Sequence, residues 1–259
     1  ALRRLPVPRL LAAQQALLAE APRSGLGFLP FRPVLDGATL PRLPIDAVRA
    51  GEARGVAVLA GVTADEWTLF AGLDPQLGQL DQAGLRRRLG YQFDAAETER
   101  LLELYPPLLR ARGIEPTPGE LLTAVTGDRW FRAPCARLLQ AQAAHRDDTH
   151  AYLFDWPSRH RRLRACHALE LGFLFGWRDR GFHGGGPAAE RLQAALQLAW
   201  SAFARDGRPH AATLGAWPAC SAGQLHWMGL GEAPGVREGG WEALAGFWAG
   251  IDDERLRRV

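Results

Sequence analysis

Glu66 and His167 are the two residues of this sequence whose types and surroundings could do chemistry together. Glu66 lies in the stretch VAVLAGVTADEWTLF, just past a predicted strand, and His167 follows 101 residues later (167 minus 66) in RACHALELGFLFG. An imidazole takes a proton from a hydroxyl nucleophile when a carboxylate fixes its tautomer and stabilises the imidazolium that forms. A strand-end glutamate and a loop histidine are therefore fit to be the acid and the base of a hydrolase triad. No serine completes it: Ser24, Ser158, Ser201 and Ser221 all lack the G-x-S-x-G setting in which a strained strand-to-helix turn exposes its hydroxyl. Two plainer readings stand beside this one. Asp65 and Glu66 could cap the helix after the strand, and His167 could be a satisfied core histidine.

Other candidate groups carry less. The run HRDDTH, with His145, Asp147, Asp148 and His150, straddles a predicted helix end and strand start, a spacing that does not turn four ligands inward on a metal. His183–Gly186 could form an anion-binding nest, but a connector before Pro187 explains it equally well. Cys135, Cys166 and Cys220 are widely spaced with no C-x-x-C pair, which points to reduced thiols in a cytoplasmic setting rather than to zinc or a redox dithiol. Neither a metal nor an organic cofactor is expected.

The elements that must position Glu66 and His167 are mostly helical. Caps and periodicity predict helices over about Pro8–Glu20, from Asp94 with Glu97 to about Tyr105, from Thr117–Pro118 onward, over Asp128–His145 and over Pro187–Arg205. Continuous apolar runs at Val56–Gly61 and His150–Phe154 read as interior strands of a parallel sheet. The loop LPFRPVLDGATLPRLP between the first helix and the first strand is dense in proline and glycine. Two interior strands need neighbours on each side, so the rest of the sheet is expected elsewhere.

Composition is that of an ordinary globular chain: 259 residues, 47% hydrophobic and 23% charged. The 31 basic residues, all arginine, exceed the 28 acidic ones by only +3, and the arginine clusters lack interleaved aromatics, so nucleic acid is not an expected partner. No window reaches the roughly 18 consecutive apolar residues of a membrane span, and a membrane is not expected either.

The segments LPFRPVLDGATLPRLP, GVAVLAGVTADEWTLF, TGDRWFRAPCARLLQAQ, AYLFDWPS, RACHALELGFLFG, AWSAFARDGRPH and AWPAC occur in the order seen in type-B carboxylesterases, the family of para-nitrobenzyl esterases and cholinesterases. The chain resembles the C-terminal half of such a protein. The resemblance implies an α/β-hydrolase fold, helix-rich with few strands of a mostly parallel sheet, residues 1–259 being the C-terminal portion of a single domain. It makes Glu66 the triad acid and His167 the triad base, and implies a small uncharged ester as substrate. The serine and the oxyanion hole would come from an N-terminal half of the same fold. Two residues depart from the pattern: Arg164 stands where glycine is frequent, and Gly172 where proline is usual. Each could shift the histidine loop, and an arginine beside the imidazole would lower its pKa unless it pointed into water. Aromatic residues near the pair, among them Trp67, Phe70, Trp130, Phe131, Trp156, Phe173, Phe175 and Trp177, are expected to be core with a few lining an apolar pocket. The alternative function is a non-catalytic, cholinesterase-like interaction module.

Overall fold

A computed structural model describes residues 2–24, 31–238 and 240–257. In chain order the helices are α1 (Val7–Ser24), α2 (Pro44–Arg49), α3 (Thr68–Ala71), α4 (Gln82–Leu89), α5 (Ala95–Ala111), α6 (Pro118–Gly127), α7 (Ala133–Ala143), α8 (Leu169–Leu174), α9 (Pro187–Asp206), α10 (Glu242–Gly250) and α11 (Asp253–Arg257). The strands are β1 (Val58–Thr63), β2 (Thr149–Phe154), β3 (Trp227–Leu230) and β4 (Gly235–Arg237).

The chain divides into two compact units, Ala1–Pro44 with Asp252–Val259, and Ile45–Ile251. In the first, α1 overruns its predicted ends, Pro8 and Glu20, by one residue before and four after. The proline-rich segment that follows is non-helical over residues 31–43, Leu29 and Pro30 lying outside the described residues. One turn there is closed by Asp36, whose Oδ1 accepts the N–H groups of Ala38 (3.0 Å) and Leu40 (2.8 Å). Those bonds favour the ionised form and hold its carboxyl down at about 2.

The second unit holds the sheet, in the order β1-β2-β3-β4. β1 and β2 are parallel, registered from Val58↔Thr149 to Thr63↔Phe154, and β3 is parallel to β2 while β4 runs antiparallel. The first two strands correspond to the apolar runs predicted, β1 shifted two residues C-terminal. Gly61 in β1 is required by its neighbour, because a Cβ there would lie 2.2 Å from the Tyr152 carbonyl oxygen of β2. β3 and β4 are not marked by the sequence pattern. β3 is only four residues, all buried, and its Gly229 breaks the apolar pattern because the Arg237 guanidinium of β4 occupies the place of a side chain.

Local signals explain where two of the site-framing helices start. Asp94 and Glu97 form the predicted capping box, with bonds of 2.8 and 2.9 Å, and Thr117 caps α6 with Pro118 following it. The ends differ from expectation. α5 passes Tyr105 and continues through Pro106 and Pro107 to Ala111, because Leu101, Tyr105 and Leu109, one helical turn apart, are all buried. The helix expected over Asp128–His145 is a π-helical turn, Asp128–Arg132, feeding α7. Along α9, Leu192, Leu196 and Ala199 lie on the buried face and join Phe154, Phe173, Met228 and Leu230 in a core against the sheet.

Candidate active site

Glu66 sits in a turn just past the end of β1. Its Oε1 accepts the N–H of Thr63 at 2.7 Å, which folds the side chain back against the strand end, and the residue is only 7% exposed. Its Oε2 lies 2.6 Å from Nδ1 of His167. A carboxylate with both oxygens occupied by donors fixes the neutral imidazole as the Nδ1–H tautomer. Nε2 has no hydrogen-bond partner among the described residues, so its lone pair is free to take a proton. The bond to Glu66 raises the His167 pKa above the ordinary histidine value, against an opposing effect of burial.

The acid loop and the histidine loop are joined at several further points. The N–H of Ala64 bonds the Phe154 carbonyl at 2.8 Å, and that of Asp65 bonds the Ala165 carbonyl at 3.0 Å. The Thr68 hydroxyl lies 2.7 Å from the Asp65 carbonyl oxygen and 2.6 Å from that of Leu163, sharing one proton between the two loops. Asp65 is thus not a helix cap. Its carboxylate accepts from Arg112 (2.7 Å) and from Arg164 (2.9 Å). None of this was visible in the sequence, since Thr68, Arg112, Glu120 and Arg164 show no motif that ties them to Asp65.

Arg164 neither faces the imidazole as a free charge nor points into water. Its Nε bonds Asp65 and its two terminal nitrogens bond both Glu120 oxygens, at 3.2 and 2.8 Å, so its charge is matched and His167 is not driven down. Its φ of 50° explains why glycine suits this position. At Gly172 a Cβ would lie 2.2 Å from Nε2 of His183, a ring that is 3% exposed, so the buried imidazole occupies the space a larger residue would need.

Of the aromatic residues near the pair, Phe131 and Phe70 flank the imidazole, with ring centroids 4.9 and 5.4 Å away. Phe131 is delivered by the π-helical turn, a local winding that re-aims side chains and that a 3.6-residue periodicity does not anticipate. Trp67 pairs with Trp130 at 5.4 Å, Trp156 and Phe173 are core, and Phe175 and Trp177 are exposed.

The remaining candidates do not converge. His145 Nε2 meets the Arg49 carbonyl at 2.9 Å, Asp148 pairs with Arg146, and His150 is buried with its pKa lowered by desolvation. Among the described residues no three His, Cys, Asp or Glu groups are placed to hold a metal ion. The His183–Gly186 segment turns carbonyls toward its neighbours: those of His183 and Gly184 accept from Trp156 and Arg178. Ser158 donates to the His160 carbonyl at 3.1 Å rather than facing His167. Cys135, Cys166 and Cys220 are free, and burial pushes the first two thiols up to about 12 and about 11. Among the described residues no helix is long and apolar enough to cross a membrane.

The model of the Carboxylesterase family matches residues 1–248. The chain is 32% identical over 216 residues to the para-nitrobenzyl esterase of Bacillus subtilis, covering 81% of this chain and 41% of that protein. It is 30% identical over 230 residues to the phenmedipham hydrolase of Pseudarthrobacter oxydans, covering 84% of this chain and 44% of that protein. A solved carboxylesterase of Geobacillus stearothermophilus superposes with a TM-score of 0.73 at 29% identity, over 95% of this chain and 50% of the other. The chain spans half or less of the length of these proteins.

Proposed function

This chain belongs to the carboxylesterase family and has its α/β-hydrolase fold, helix-rich with a mostly parallel sheet, and we propose that it supplies the acid and the base of a serine esterase acting on small uncharged carboxylic esters. In this reading residues 1–259 are the C-terminal portion of a single α/β-hydrolase domain. The serine and the oxyanion hole come from a polypeptide segment outside them. The observation that carries the reading is the 2.6 Å bond between Glu66 Oε2 and His167 Nδ1 in the loops that follow two adjacent parallel strands.

The chemistry follows from that bond. His167 Nε2 takes the proton of the serine hydroxyl as its oxygen attacks the ester carbonyl, and Glu66, already bound to Nδ1–H, stabilises the imidazolium. The imidazolium then protonates the departing alkoxide, and the same cycle with water releases the acid. No metal or organic cofactor takes part. Phe70 and Phe131 beside the imidazole favour apolar ester groups over charged ones. Along β1 one edge has no strand partner among the described residues, and it is where the next strand of the domain pairs in this reading. A reducing, cytoplasmic setting accords with three free cysteines.

The test is co-expression of this chain with a nucleophile-bearing N-terminal half of a related esterase, followed by hydrolysis of a nitrophenyl ester. Turnover that depends on both parts and disappears in His167→Ala is the expected result. An assembled protein whose His167→Ala variant keeps parental activity overturns the assignment.

A further inference from the structure

Only two described residues other than glycine hold a left-handed backbone, Arg164 (φ 50°) and Ala168 (φ 64°), and they bracket Ala165, Cys166 and His167. A residue with a Cβ adopts that conformation against a steric penalty that glycine escapes. At position 164 the side chain accounts for the strain. Its guanidinium ties its own loop to two other elements: Nε bonds Asp65 Oδ1 at 2.9 Å in the acid loop, and the terminal nitrogens form a two-pronged pair with Glu120 in α6 at 3.2 and 2.8 Å.

The linkage runs straight to the site. Asp65 adjoins Glu66, and its side chain is 5% exposed, so this is not one of the solvent-screened pairs that contribute little. Its second oxygen, Oδ2, accepts from Arg112 at 2.7 Å and lies 3.4 Å from the Ala165 N–H. Glu120 belongs to the helix that continues into the π-helical turn carrying Phe131, the ring 4.9 Å from His167. A planar guanidinium with fixed donor directions can hold such a geometry, whereas an ammonium acts as a point charge.

We propose that Arg164 is a positioning residue of the Glu66–His167 pair: its guanidinium locks the histidine loop to the acid loop and to α6, and so keeps Nδ1 within hydrogen-bond distance of Glu66. The proposal rests on the esterase reading of that pair. Its rival is that backbone bonds and Thr68 suffice to join the loops, leaving the ion pairs as surface decoration.

The test compares Arg164→Gly, Arg164→Lys and Glu120→Gln with the parent, each assembled with its nucleophile-bearing half, by the low-field Nδ1–H proton resonance of His167. Glu66→Gln identifies that signal by abolishing it. Arg164→Gly relieves the backbone strain, so folding persists while the resonance broadens or vanishes and the imidazole pKa falls. Arg164→Lys restores part of the signal, since one ammonium cannot reach Asp65 and both Glu120 oxygens together. In the assembled protein kcat falls about 10- to 100-fold with KM little changed, as expected for a small misplacement of a reacting group. A resonance and pKa unchanged in Arg164→Gly overturn the proposal. If that variant does not fold, Glu120→Gln, which leaves the backbone at 164 untouched, decides the matter by the same criterion. A parent lacking the resonance overturns both readings, whereas a parent that shows it but fails to hydrolyse esters on assembly overturns the esterase reading alone.

Discussion

Glu66→Gln keeps the shape of the side chain and should nevertheless invert the imidazole. In the native site both carboxylate oxygens face donors, the Thr63 N–H at 2.7 Å and the His167 Nδ1–H at 2.6 Å. Glutamine has one oxygen and one NH2. The backbone N–H of Thr63 cannot change its role, so the amide oxygen turns toward it, and the NH2 then faces Nδ1. That ring nitrogen must become an acceptor, which moves the proton to Nε2 and removes the lone pair needed to activate a nucleophile. The opposite amide orientation sets two donors against each other and leaves a buried N–H unsatisfied, at a cost of about 1–3 kcal/mol. The inverted tautomer is then favoured roughly 5- to 150-fold. The same inversion in a serine protease triad costs about 10⁴ in kcat, and a loss of that order is expected in the assembled protein. The His167 pKa should also fall below its ordinary value, because the Glu66 bond is the largest influence raising it and burial, which lowers it, remains. Ring ¹⁵N shifts report the tautomer and nitrophenyl ester hydrolysis reports the rate. A Glu66→Gln protein with the Nδ1–H tautomer and parental hydrolysis would refute the argument.

Because the His167 pKa is raised in the folded protein, the acid limb of the kcat/KM profile should lie above the ordinary value of 6.5 and move down in Glu66→Gln, as a pH series on the assembled protein would show. The associated stabilisation has the opposite pH sense: it is fully present below the unfolded pKa and is lost as pH rises through the folded one, which thermal midpoints across pH 5–9 can follow. Gly172→Ala, whose Cβ would lie 2.2 Å from His183 Nε2, should destabilise the protein by about 1–3 kcal/mol. In a His183→Ala background the same change should become neutral or stabilising by up to ~1 kcal/mol, since alanine is the better helix former; equal destabilisation in both backgrounds, read by denaturant unfolding of the assembled protein, refutes the clash. The chain purified alone should self-associate or melt without cooperativity, because β1 leaves a strand edge unpaired among the described residues. A monomeric peak in light scattering with one sharp thermal transition would contradict this.

The amino-acid order was most informative where the cause lies within a few residues. The Asp94–Glu97 capping box, the Thr117–Pro118 start and the apolar run of β2 were all readable from a single window. Glu66 and His167 stand out only through a family pattern, because nothing near either residue says that the other is 2.6 Å away. Where cause and consequence are far apart, no single window holds the information. α5 runs through two prolines because its buried face outweighs their local cost, and β3 looked like no strand because Arg237 fills the space over Gly229. The role of Arg164 belongs to the same class: its partners Asp65 and Glu120 lie 99 and 44 residues away. Caps and periodicity are short-range physics and are written locally in the chain. Tautomer, charge pairing and loop register depend on which distant groups share a low-dielectric space, and folding alone brings those groups together.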